Sequence, residues 1–269
     1  MMAMLRLAEL ELLRFLRGRS GALIAGAATF VLLGVLLCFP FSLYSPGAGN
    51  SAPWDAEVRS NELRLLEAPW IVVMALSLAA GPFAADLKGG AFVLLEQATL
   101  SHARLLAGRM LGIATNLLIV HALLSIPAFA FDGCVRRSAT TLALQFFGAY
   151  ALALCFVPLG LAMGHSAALA ARKQRVVLSS SLLGLLLQTV IPVLLLAGLV
   201  RSELLPPDMS RWEAIVQFVP HALGDTVRTT GDYYGHAAMP LLIGGGCQAA
   251  GAALTLRGLL VRLSRRASA

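Results

Sequence analysis

Residues able to do acid–base, nucleophilic or metal chemistry are few in this 269-residue chain, and they are scattered. It has only two lysines, Lys88 followed by Gly89 and Lys173 followed by Gln174, so a GxxxxGK[ST] phosphate loop is impossible. Neither HExxH, nor a nucleophile elbow, nor a paired-carboxylate constellation is present. The four cysteines, Cys38, Cys134, Cys155 and Cys247, follow no disulfide or zinc spacing. The five histidines are equally dispersed; His221 and His236 fall near Met209 and Met239 but read as solvated or interfacial side chains rather than as ligands. The expectation is a chain that is not an enzyme and that holds no metal or cofactor of its own.

The elements that carry these residues are apolar. Of the chain, 58% is hydrophobic and 13% charged, against about 25% charged in a soluble domain. Six stretches are each long enough to cross a bilayer: 20–44, 68–85, 105–131, 139–165, 176–200 and 237–256. An all-α polytopic membrane protein with six transmembrane helices follows, because lipid cannot satisfy open backbone groups. The fifth stretch holds sixteen Leu, Ile and Val residues and should insert unaided. The sixth is weaker, with Gly244, Gly245, Gly246, Gln248 and Gly251, and should lie against other helices. The first follows Arg14, Arg17 and Arg19, but its apolar run is too long for a signal core and no small-x-small site closes it, so it reads as an uncleaved anchor.

Lys and Arg set the orientation. With the N-terminus inside, the inner segments hold fourteen of them and the outer segments seven, while ten of the fourteen acids fall outside. This places the chain in a cell inner membrane with both termini cytoplasmic. Trp54, Trp70 and Trp212 then anchor the outer rim. The net charge of +7 accordingly points to membrane lipids and not to nucleic acid.

The middles of the spans contain Asn116, His121, Gln145, Gln188 and Gln248 but no Asp, Glu, Lys or Arg; Asp86 and His165 sit at inner ends. Ion-coupled transport normally needs intramembrane ionisable groups, so an energy source within this chain is not expected. Asn116, Gln145 and Gln188 are the candidates for a polar path. Gly108xxxGly112 and Gly160xxxGly164 offer faces for close helix contact.

The most specific stretch joins the second and third spans and begins at Asp86: DLKGGAFVLLEQATLSHARLLAGRMLG. It resembles the membrane subunits of ATP-binding-cassette transporters of the second type, the drug, polysaccharide and lipid exporter permeases, which run roughly GTLExLxxxPxSRxxxxxGK after span two. Gly90, Ala91 and Phe92 stand at Gly-Thr-Leu, Ser101 and His102 at Ser-Arg, and Gly108 and Arg109 at the closing Gly-Lys, without a gap. Val93 replaces the family's acid and Thr99 its proline; Glu96 is the nearest acid.

The resemblance implies that residues 86–109 form a cytoplasmic coupling helix that docks on a separate ATPase subunit. Lys88, Gly90, Glu96, Ser101, His102, Arg104, Gly108 and Arg109 would make that contact, and Arg172, Lys173 and Arg175 a secondary one. Two ATPase copies, with ATP and Mg on them, would serve two permease chains, a second copy or a similar partner. Residues 4–19 are expected to be an interfacial helix with Leu5, Ala8, Leu12, Leu13, Phe15 and Leu16 on one side, Arg14 opposite, and Arg6, Arg17 and Glu11 at the flanks. Within 204–234, Ser210 and Glu213 form a capping-box start and Pro220 breaks the apolar run. The family places an outer re-entrant helix pair there, before the last span. Export of a hydrophobic or amphipathic substrate is the function implied. Two alternatives stand beside it: a haem-exporter subunit of cytochrome maturation, for which Leu95-Glu96-Gln97 speaks, and a non-transporting membrane scaffold or sensor.

Overall fold

The computed structural model describes residues 2–17, 26, 52–92, 94, 101–135, 139–169, 175–201 and 234–267. They form six long helices: α1 (Met2–Arg17), α2 (Ala52–Lys88), α3 (His102–Val135), α4 (Ala139–Ala168), α5 (Arg175–Arg201) and α6 (Tyr234–Ala267). The expected first span, 20–44, and the outer segment 204–234 lie outside the described residues, apart from Gly26 and Tyr234. Three helical stretches, Trp70–Lys88, His102–Ile126 and Phe146–Ala168, are long and apolar enough to cross a membrane. Arg175–Ile191 is a shorter apolar helix.

Two helices run well beyond the expected spans. α2 begins at Ala52, where Pro53 sits in the first turn and lacks only an N–H that would be unpaired anyway. At 37 residues it is about 55 Å long. α6 continues past Leu256 to Ala267, and Leu259 and Leu263 on that extension are fully buried, so the basic C-terminal stretch is a packed helix rather than a tail.

Packing order differs from chain order. α2 lies between α3 and α4, α1 rests on α3, and α6 joins α4 to α5. The core follows this order, with Ile71, Phe83, Ile113, Leu117, Leu161 and Val177 among its buried members. Small residues set the closest crossings. A Cβ on Gly160 would come within 2.7 Å of Ala79, and Gly164 lies against the Ala80 backbone, so α2 and α4 run parallel. Gly251 faces Gly184 and Gln188 while Gly258 faces Ser180, which makes α5 and α6 antiparallel.

Those directions have one electrostatic consequence. The ends of α2, α4 and α6 and the starts of α3 and α5 gather at one end of the bundle. Lys88, Arg104, Arg109, Arg175, Arg257, Arg262 and Arg265 are all carried there.

Candidate functional site

At this basic end α2 stops because the chain turns at two glycines. Gly89 N–H donates to Ala85 C=O at 2.8 Å, and Gly90 takes φ +76°, a conformation that costs other residues steric strain. Helical backbone resumes at once, with Leu94 N–H donating to Gly90 C=O at 3.3 Å. Phe92 folds back into the core, edge-on to Phe83 at 5.8 Å and stacked on His102 at 6.4 Å. Ser101 caps α3: its Oγ accepts from Arg104 N–H at 3.4 Å and its C=O from Leu105 N–H at 3.0 Å. Lys88, Leu94, Ser101 and Arg104 are exposed, and Gly90 and His102 half-buried. Glu96, with Leu95 and Thr99, lies outside the described residues.

Arg109 and Gly108 are not on that surface; both are buried. The Arg109 guanidinium donates to Asp86 Oδ2, stands 3.3 Å from Glu11 Oε1, and lies over the Phe83 ring at 5.2 Å. Arg14 approaches the same carboxylate from α1, with Nη1 and Nη2 each 3.0 Å from one Asp86 oxygen, a bidentate pair. Its Nη1 is also 3.5 Å from Glu11 Oε1. Two cations and two anions thus close into a neutral cluster joining α1, α2 and α3. Asp86, Glu11 and Arg109 are 6%, 8% and 7% exposed, whereas Arg14 is half exposed. The hydrogen bonds to Asp86 hold the Arg14 guanidinium above its ordinary pKa, so the arginine stays charged.

One stripe of α3 receives α1. Arg109 meets the Glu11 carboxylate, Gly112 leaves room for the α1 backbone, and Asn116 Nδ2 donates to Glu11 C=O at 3.3 Å. A Cβ at Gly112 would fall 2.6 Å from Glu11 Cβ and 3.1 Å from Ala8 Cα. The inward face of α1 is therefore centred on Glu11 and Phe15, about a quarter turn from the expected leucine stripe. Leu5 and Leu13, expected on the apolar side, are exposed.

The other expected site residues separate. Arg175 opens α5 and is exposed, while Arg172 and Lys173 lie outside the described residues. Asn116 and Gln188 are buried in contacts between helices: Asn116 on α1, and Gln188 with Nε2 2.7 Å from Cys155 C=O and 3.3 Å from Gln248 C=O. Gln145 is on α4, its side chain outside the described residues. His121 bridges α3 and α4, its Nε2 3.0 Å from Phe146 C=O and its ring stacked on Phe146 at 4.2 Å.

Sequence reasoning missed the charged cluster, although its signal was present. Asp86 ends one apolar helix and Arg109 enters the next, and ionisable groups in such helices need partners. Among the described residues no three His, Cys, Asp or Glu side chains are grouped to hold a metal ion. No protein-family model matches the chain, nor does any curated protein or any solved structure.

Proposed function

We propose that this chain is the membrane-spanning permease subunit of an ATP-binding-cassette exporter of the second type, moving a hydrophobic or amphipathic substrate across the inner membrane. Separate ATPase subunits would dock on residues 86–109, and two permease chains, identical or homologous, would form the pathway. In this reading six spans cross with both termini cytoplasmic, α1 lies at the inner leaflet, and 204–234 forms the outer re-entrant pair.

The observation that carries the reading is the ungapped match from Gly90 to Arg109, which begins at the Gly90 turn between two apolar helices. The bundle end at that turn is basic, as a cytoplasmic end would be. Closure of the ATPases on ATP would push the turn. Because Asp86 and Arg109 are paired across α2 and α3 and both arginines hold α1, the three helices would move as one body. Transport then requires the nucleotide-bound ATPases to favour one membrane conformation over the other.

The test is capture of a candidate ABC ATPase subunit co-expressed with this chain. Lys88→Glu with Arg104→Glu reverses two exposed charges without touching the core, and should weaken capture at least tenfold while leaving the melting temperature unchanged. Undiminished capture by that variant, or ATP-driven transport by the chain alone, would refute the proposal.

A further inference from the structure

Charge is divided unequally between the two sides of the bundle. α4, α5 and α6, with the flanking residues 169–174 and 268–269, contain no Asp or Glu. They nevertheless bring Arg175, Arg257 and Arg262 to the basic end, and Arg172 and Lys173 immediately precede α5 in sequence. The two acids buried at that end, Glu11 and Asp86, are held by Arg14 and Arg109 on the side of α1, α2 and α3. Arg175, Arg257 and Arg262 have no carboxylate within ion-pair distance among the described residues.

One helix crossing gathers these cations. A Cβ on Gly258 would stand 3.4 Å from Val176 C=O, so Arg257 and Arg175, each one residue away, lie level with each other. Arg262 is one turn further along α6, on the face that carries Gly251, Thr255 and Gly258 toward α5. Arg175 and Arg257 are exposed, and Arg262 is half-buried. The apolar stretch of α5 starts at Arg175 itself. Leu178, Leu182 and Leu186 continue the same face of α5 and are 48%, 62% and 39% exposed. Positive charge thus caps an open leucine stripe, at the depth where an apolar helix leaves hydrocarbon.

We infer that Arg175, Arg257 and Arg262 form a binding site for an anionic phospholipid of the leaflet at the basic end, its phosphate among the guanidiniums and an acyl chain along Leu178 and Leu182. Arginine suits the phosphate because its N–H donors are paired in a fixed fork. A free phosphate would leave the leucines unused, and a zwitterionic lipid brings its own cation to the phosphate. The site requires no ATPase and holds for either orientation of the chain, so it stands or falls apart from the export reading.

The full chain in detergent micelles, at about 0.15 M ammonium acetate, is titrated with phosphatidylglycerol and with phosphatidylcholine of the same acyl chains, and bound lipid is read by native mass spectrometry. Arg175→Gln with Arg262→Gln should weaken phosphatidylglycerol binding about thirtyfold, the effect of two cations beside an anionic lipid, and leave phosphatidylcholine binding unchanged. Lys88→Gln with Arg104→Gln removes the same charge beyond α4 and α6, farther than the screening length of about 8 Å, and should leave both lipids bound as before. Hydrogen exchange on the unmodified chain gives a reading that does not depend on variants folding: phosphatidylglycerol should slow exchange at the start of α5 and the end of α6. Equal binding of the two lipids, an equal loss in the two variants, or protection confined to α1, α2 and α3 overturns the site. Displacement of the lipid by equimolar inorganic phosphate does so too, since the leucine stripe would then contribute nothing. If Arg175→Gln with Arg262→Gln keeps lipid binding but loses ATPase capture, the patch belongs to a protein partner and the lipid site is wrong.

Discussion

Asp86 is the residue on which the charged end turns, because two guanidiniums from different helices share its one carboxylate. Removing a partner from a buried ion pair strands the remaining charge, which costs about 3–5 kcal/mol, while an exposed pair is worth about 0–1 kcal/mol. Arg109 is buried and Arg14 half exposed, so the two halves of the cluster should respond differently. Asp86→Asn is expected to lower the melting temperature of the purified chain by several degrees, and Arg14→Gln by a small fraction of that; equal losses would mean that burial of Arg109 is not what makes the cluster matter. The sequence placed Asp86 correctly at the end of a helix but assigned Arg109 to a partner protein. A spacing match records which residue stands at a position and says nothing of which way its side chain faces. Only the fold, by bringing Glu11 and Asp86 to Arg109, decides that.

Helices as units were easier to read than their faces. Hydrophobic length identified the apolar parts of α2, α3 and α4 to within a few residues at the ends that gather at the basic end of the bundle, since a helix with one face in water must interrupt an apolar run of twenty with polar residues. It failed for the polar first half of α2 and the basic second half of α6, whose helicity comes from continuation of a helix already nucleated and, in α6, from buried Leu259 and Leu263. For α1 the wheel marked an apolar side but not the side that meets protein: Glu11 turns inward to its charged partners, and Leu5 and Leu13 lie outside, where an interfacial helix would present them to lipid, which is also apolar. That placement requires Gly112. Gly112→Leu should lift α1 from α3 and open Arg14 and Arg17 to trypsin, whereas Gly148→Leu, where an added Cβ meets nothing within 4 Å, should leave the digestion pattern unchanged. Equal protection of the two variants would show that α1 is not seated on this glycine.

Across the whole molecule, the packing order α1, α3, α2, α4, α6, α5 means that a push at the Gly90 turn reaches α1, α2 and α3 directly and α5 only through α4 and α6. Under the proposed function, docking and transmission would thereby be separated in space. Lys88 and Arg104 face outward and would meet an ATPase, while Asp86, Arg109 and Glu11 face inward and would carry the movement. Two variants should split the process accordingly. Lys88→Glu with Arg104→Glu should lose ATPase capture, with the native contact itself weakening as salt rises because exposed charges are screened over about 10 Å at 0.1 M. Gly112→Leu should keep capture, since both exposed cations remain, yet uncouple it, so that the bound ATPase hydrolyses ATP at its basal rate without response to transported substrate. Measuring capture and substrate-stimulated hydrolysis on the same two preparations decides the matter. Should both variants lose both properties together, α1 and the turn would form one docking surface, and the division between an outer contact and an inner lever would be wrong.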